Sequence, residues 1–69
     1  METFTLDFKS KIKLWKLLQK RDLFLTKRQA KDLVIVGMVS VNGITETKPG
    51  TKVSFGDVVE IQGQKIIIG

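Results

Sequence analysis

The sequence contains no cysteine and no histidine. The lack of cysteine excludes disulfide bonds and thiolate metal sites. The lack of both residue types removes the commonest general base and a principal nucleophile of enzymes. The carboxylates are few and scattered, so neither an acid–base pair nor a metal site is indicated. We therefore expect a protein that is not an enzyme and that carries no cofactor.

Long apolar runs are also missing, and the 69 residues include one proline and six glycines. No segment is long enough for a signal peptide or a membrane span, so we expect a cytoplasmic protein. The length suits one domain, residues 1–69, with a modest core.

Positive charge is abundant and unevenly distributed. The net charge is +5, but residues 9–31 hold nine cations and a single acid, Asp22. Such a block is typical of a protein with a polyanionic partner, either nucleic acid or an anionic membrane surface. A solvated basic surface without a partner is the alternative.

The hydrophobic periodicity predicts an α+β fold. Residues 3–8 alternate as a half-buried strand, and residues 12–21 have the spacing of a helix. A second helix and a mostly antiparallel sheet of short strands follow. Asn42-Gly43 predicts a two-residue hairpin turn, and Pro49-Gly50 predicts a type II turn. The order is one strand, two consecutive helices and then the sheet.

The second helix has clear signals at both ends. Thr26 is a good N-cap, Gln29 has the spacing of a capping box, and Gly37 can end the helix in the left-handed conformation. Lys27 and Arg28 occupy the first turn, where acids are the usual stabilisers. Cations beside free N–H groups suit an external phosphate. The outer face of the first helix adds three more cations, Lys13, Lys16 and Lys20.

Three motifs together resemble a known family. They are I-x-L-x-K-L-L at residues 12–18, L-T-K-R-x-A-K-x-L-V-x-x-G-x-V-x-V-N-G at residues 25–43, and K-V-x-x-G-D-V-V-E-I at residues 52–61. This pattern is similar to the RNA-binding domain named after ribosomal small-subunit protein S-four, also called the αL RNA-binding motif. The family-like core covers residues 12–61. With a strand added before this core and few residues after it, the chain resembles the short stand-alone bacterial members of the family.

The resemblance implies that structured RNA is the partner and that no membrane is involved. The contacts that it implies come from one residue of the first helix, four of the second and, more weakly, one in a later loop: Lys16, Thr26, Lys27, Arg28, Lys31 and Lys52. The chain departs from the family at Ile35, Val36 and Met38, where polar or basic residues are common. We expect these three to pack on the added strand or to contact another protein.

Two other functions fit parts of the sequence. A small β-grasp carrier would share the closing G-D-x-V-x-I hairpin, but Ile68-Gly69 lacks the Gly-Gly tail that carriers need. A protein-interaction module without nucleic acid is the other. Trp15 either packs in the core or stacks on a base. The sequence does not distinguish ribosomal RNA, transfer RNA and small RNA.

Overall fold

Short strands flank two helices in the computed structural model, which describes residues 2–69. The strands are β1 (Glu2–Phe4), β2 (Lys11–Lys13), β3 (Val39–Val41), β4 (Ile44–Thr45), β5 (Lys52–Ser54), β6 (Val58–Ile61) and β7 (Gln64–Ile68), and the helices are α1 (Leu14–Arg21) and α2 (Lys27–Ile35).

The strands form two sheets. Five of them line up in the order β1-β7-β6-β3-β4, in which β1 and β7 are parallel and the other pairs are antiparallel. A separate antiparallel pair joins β2 to β5. The α+β class, the consecutive helices and the mostly antiparallel sheet are therefore confirmed.

The core lies between the helices and one face of the five-stranded sheet. Its buried members are all apolar: Ile12, Leu14, Leu17, Leu18, Ala30, Val34, Val39, Val53, Val59, Ile61, Ile66 and Ile68. Alternation explains which strand residues point inward, since Val59 of β6 and Ile66 of β7 are buried and directly opposite each other. Because α1 and α2 turn their apolar faces towards this core, their basic side chains lie on the opposite, outer faces of the helices.

Local signals fix both ends of α2, as predicted. The Thr26 hydroxyl accepts the Gln29 backbone N–H at 3.1 Å, and the Gln29 side chain accepts the Thr26 N–H at 2.9 Å. At the other end, Gly37 has φ +83°. Its N–H donates to the carbonyl of Val34, and the N–H of Met38 donates to the carbonyl of Leu33. These two bonds form a Schellman motif.

Two predicted boundaries and one predicted turn type are wrong. β1 ends at Phe4 rather than residue 8, because Asp7 begins a turn in which its carbonyl accepts the N–H of Ser10. The first helix begins at Leu14 rather than residue 12, because Ile12 pairs with Val53 in a ladder. Gly50 does not have a positive φ, so the Pro49-Gly50 turn is not type II.

Candidate nucleic-acid interface

The N-terminal turn of α2 offers backbone donors to solvent. Thr26 and Gln29 satisfy each other's N–H groups, but within residues 2–69 no oxygen accepts from the N–H of Lys27 or Arg28. The side chains of both residues are exposed. The Thr26 hydroxyl accepts one hydrogen bond and keeps its O–H proton for another acceptor. This turn can therefore hold an anion through donors and positive charge together.

The corresponding turn of α1 is closed by its neighbours. The N–H of Leu14 donates to the carbonyl of Thr51 at 2.8 Å, and the N–H of Trp15 donates to the carbonyl of Pro49 at 3.3 Å. The loop before β5 therefore caps α1. Of the two helices, α2 is the one whose first turn is available.

Trp15 joins the two helices beneath the basic side chains. Its half-buried ring packs against the core. The Nζ atoms of Lys27 and Lys31 lie 4.9 and 5.2 Å from the centre of that ring, within the range of cation–π attraction. The structure therefore places Trp15 as a packing residue that positions two of the predicted RNA contacts.

The predicted cations of the first helix separate into two places. Lys16 and Lys20 are exposed on α1 and, four residues apart, share one face. Lys13 does not belong to the helix face, which corrects the sequence prediction. It lies in β2, directly opposite Lys52 of β5. Sequence reasoning did not select Lys11, which lies on the same exposed side of β2; only the nonlocal pairing with β5 shows its place.

One cation of the basic block is already used inside the fold. The guanidinium of Arg21 bonds both carboxylate oxygens of Glu2, with Nε 2.6 Å from one of them, and it also donates to the side chain of Gln64. The hydrogen bond from Arg21 holds the pKa of Glu2 below its ordinary value, and the same bond raises the pKa of Arg21. Arg21 thus ties the end of α1 to the sheet.

Among residues 2–69, the other cations of the basic block have no acidic partner. Within residues 2–69, Arg21–Glu2 is the only ion pair closer than 4.0 Å. Several acids instead accept backbone N–H groups: Asp7 from Lys9, Asp22 from Phe24, and Glu46 from Lys48. The lysines and Arg28 on the helices therefore keep their charge available to an external anion.

Apolar side chains border this region. Ile35, Val36 and Met38 are 54, 69 and 48% exposed, so they do not pack on β1. Val36 lines a shallow groove of about 340 Å³ with four residues of α2 and the preceding loop: Leu25, Gln29, Asp32 and Leu33. The exposure is compatible with the protein contact predicted from the sequence, which stays a prediction.

Neither helix in residues 2–69 has the length and apolarity needed to cross a membrane. Within the same residues, no three acidic side chains come together in a way that could hold a metal ion.

Comparison with known proteins gives one family and one informative structure. The family model described as S4 domain matches residues 4–69. The crystal structure of the 30S ribosomal protein S4e from Thermoplasma acidophilum is similar, with 28% sequence identity and a TM-score of 0.69 over 87% of this chain. The match covers 31% of that protein, so the chain spans about a third of its length. No curated protein matches the chain.

Proposed function

The chain belongs to the S4 domain family, and we propose on this basis that it is an RNA-binding module. It holds folded RNA through phosphate contacts made by the two helices. Such contacts follow the shape of the RNA backbone and carry little information about base sequence. We propose that the protein binds RNA and does not catalyse a reaction.

The first turn of α2 is the observation that carries the proposal. Its unpaired backbone donors, the positive end of the helix dipole and the exposed side chains of Lys27 and Arg28 all favour an anion at one place. Lys31 adds charge one turn further on, braced on Trp15. Lys16 and Lys20 extend the positive surface along α1. A phosphodiester backbone supplies the repeated anions that such a surface can bind.

Ribosomal RNA is the partner that the comparisons favour, because the similar structure is a ribosomal protein. On the same basis we propose that the protein is cytoplasmic. Transfer RNA and small RNA are the alternatives, and a binding experiment should measure the affinity of the protein for each of them beside ribosomal RNA. The β-grasp carrier hypothesis is not favoured, since the family match extends over residues 4–69 and includes both helices.

The salt dependence of binding tests the proposed site. Each phosphate contact contributes about 0.7–0.9 to the slope of log affinity against log salt. We expect Arg28→Ala to lower the affinity for folded ribosomal RNA by about tenfold and to reduce the slope by about one contact. Lys27→Ala should act similarly. Lys48→Ala and Lys65→Ala remove the same charge elsewhere and should have small effects.

Two outcomes would contradict the proposal. Equal losses in all four variants would mean that the protein acts as a diffuse cation without a site on α2. No loss in any of them would mean that the basic block is only a solvated surface. Free energies of unfolding within about 0.5 kcal/mol of the wild type, measured by urea titration, would show that Arg28→Ala and the two control variants remain folded.

A further inference from the structure

The two-stranded sheet has a basic outer face. Lys13 is directly opposite Lys52, and Ile12 is directly opposite Val53. Both apolar residues are buried, at 7 and 0% exposure. Since neighbouring residues of a strand point to opposite faces, both lysines lie on the outer side, where they are exposed. Lys11 shares this side of β2.

Like charges directly opposite each other in an antiparallel pair are destabilising. No carboxylate within residues 2–69 lies within 4.0 Å of Lys13 or Lys52 to relieve the repulsion. The five-stranded sheet shows the opposite arrangement, because Lys65 of β7 is directly opposite Glu60 of β6. The molecule therefore contains both a like-charged cross-strand pair, Lys13 and Lys52, and an oppositely charged one, Glu60 and Lys65, with which it can be compared.

The backbone holds the two lysines in place despite this repulsion. Their neighbours Ile12 and Val53 are anchored in the core. The bonds from Leu14 to Thr51 and from Trp15 to Pro49 fasten the start of α1 to the loop before β5. Lys13 is also two residues before Trp15, whose ring carries Lys27 and Lys31. The strand pair is thus joined to the α2 site through the first turn of α1.

We propose that Lys13 and Lys52 form a second phosphate-binding site, which holds the backbone of the same RNA and is relieved of its internal repulsion when occupied. This inference rests on the proposed RNA-binding function. Side chains directly opposite have Cβ atoms about 4.5–5.5 Å apart, so both ammonium groups can reach one phosphate or two neighbouring ones. Each ammonium has three donors for such contacts.

The proposal predicts opposite effects of one substitution on stability and on binding. Lys52→Glu places a carboxylate opposite Lys13, so we expect a higher urea midpoint at low salt and an RNA affinity reduced by about tenfold. Position 52 is preferred to position 13, because Lys13 is the N-cap of α1. A glutamate there would also stabilise the helix through its dipole.

Lys65→Glu is the matched control, since it changes the net charge by the same amount. It creates a like-charged pair with Glu60, so we expect a lower urea midpoint and only a small, salt-screened loss of affinity. The double variant Lys13→Glu/Lys52→Glu restores like charges across β2 and β5. Its midpoint should be lower than the sum of the two single effects predicts.

These measurements separate the inference from the proposed function. Equal losses of affinity in Lys52→Glu and Lys65→Glu would overturn the second site, as would a lower midpoint in Lys52→Glu or additive midpoints in the double variant. If Arg28→Ala still weakens binding in that case, the α2 site stands without the second one. If Arg28→Ala also leaves the affinity for folded RNA unchanged, the α2 site fails as well, and the RNA-binding function itself fails only if the wild-type protein does not bind folded RNA.

Discussion

Lys27 places its ammonium group 4.9 Å from the centre of the Trp15 ring. The first residue of α2 is therefore braced on the second residue of α1. A cation held over an aromatic ring keeps its charge while its side chain loses freedom, and some of the ordering that binding would otherwise require is already present. We therefore expect Trp15 to affect the proposed RNA binding through this positioning.

Replacement of the ring tests this arrangement. Trp15→Leu should lower the free energy of unfolding by roughly 1–3 kcal/mol, since it removes buried ring area and two cation–π contacts. Phe24→Leu is the control because Phe24 is 97% exposed and its loss should change stability by less than about 0.5 kcal/mol. Urea unfolding measures both. Similar midpoints for the two variants would show that the indole does not support the fold.

The N-cap of α2 makes a second stability prediction. Thr26→Ala removes the hydroxyl that accepts the Gln29 N–H, and we expect a loss of about 1 kcal/mol. Thr47→Ala is a suitable comparison, because Thr47 lies outside the helices and strands and is exposed. An unchanged midpoint for Thr26→Ala would argue that solvent replaces the cap at no cost.

Gly37 and Gly50 form a natural pair for testing backbone conformation. Gly37 has φ +83°, and a Cβ there would meet Thr45 only at an ordinary 3.7 Å. Gly37→Ala should therefore cost about 1–2 kcal/mol through the left-handed conformation alone. At Gly50 the φ is not positive and a Cβ would meet open space, so Gly50→Ala should be neutral or slightly stabilising. Equal urea midpoints would place the end of α2 elsewhere.

The contact between Glu2 and Arg21 predicts a dependence on pH. The hydrogen bond from Arg21 lowers the pKa of Glu2 in the folded state. The carboxylate therefore stabilises the fold above the pKa of an unfolded glutamate, about 4.3, and this contribution is lost as the pH falls through the lower folded value. Wild type should be more stable than Glu2→Gln near pH 6, and the difference should narrow towards pH 3.

Arg21→Met checks the cause of that dependence. It removes the partner, so the substitution Glu2→Gln in an Arg21→Met background should no longer change stability with pH in this range. If the difference still depends on pH in this background, a group other than Arg21 must lower the pKa of Glu2.

Local signals explain why α2 could be predicted almost residue by residue. Thr26, Gln29 and Gly37 act through hydrogen bonds to near neighbours, so their spacing in the sequence is sufficient. The sequence does not predict strand β2, because its partner β5 lies far along the chain. A strand of three residues has no local pattern strong enough to outweigh the helical spacing that begins at Ile12.

Part of the candidate site could be placed in the fold from the sequence for the same reason. Lys27 and Arg28 follow directly from the N-terminus of α2. Counting charges could not show that Arg21 is bound by Glu2 or that Lys13 faces Lys52, because both relationships depend on how distant segments come together. Tertiary structure therefore changes the roles of individual cations in a block that the sequence presents as uniform.

The last prediction separates recognition of RNA from attraction to any polyanion. We expect the protein to bind folded ribosomal RNA at least about tenfold, or about 1.4 kcal/mol, more tightly than duplex DNA of equal length at the same salt. Folded RNA offers bends, loops and 2′-hydroxyls that a regular DNA duplex lacks, whereas the electrostatic attraction to phosphates is common to both. Titration of both at several salt concentrations is the measurement. Equal affinities with equal slopes would reduce the interface to a general cationic surface, even if Arg28→Ala weakened the binding of each.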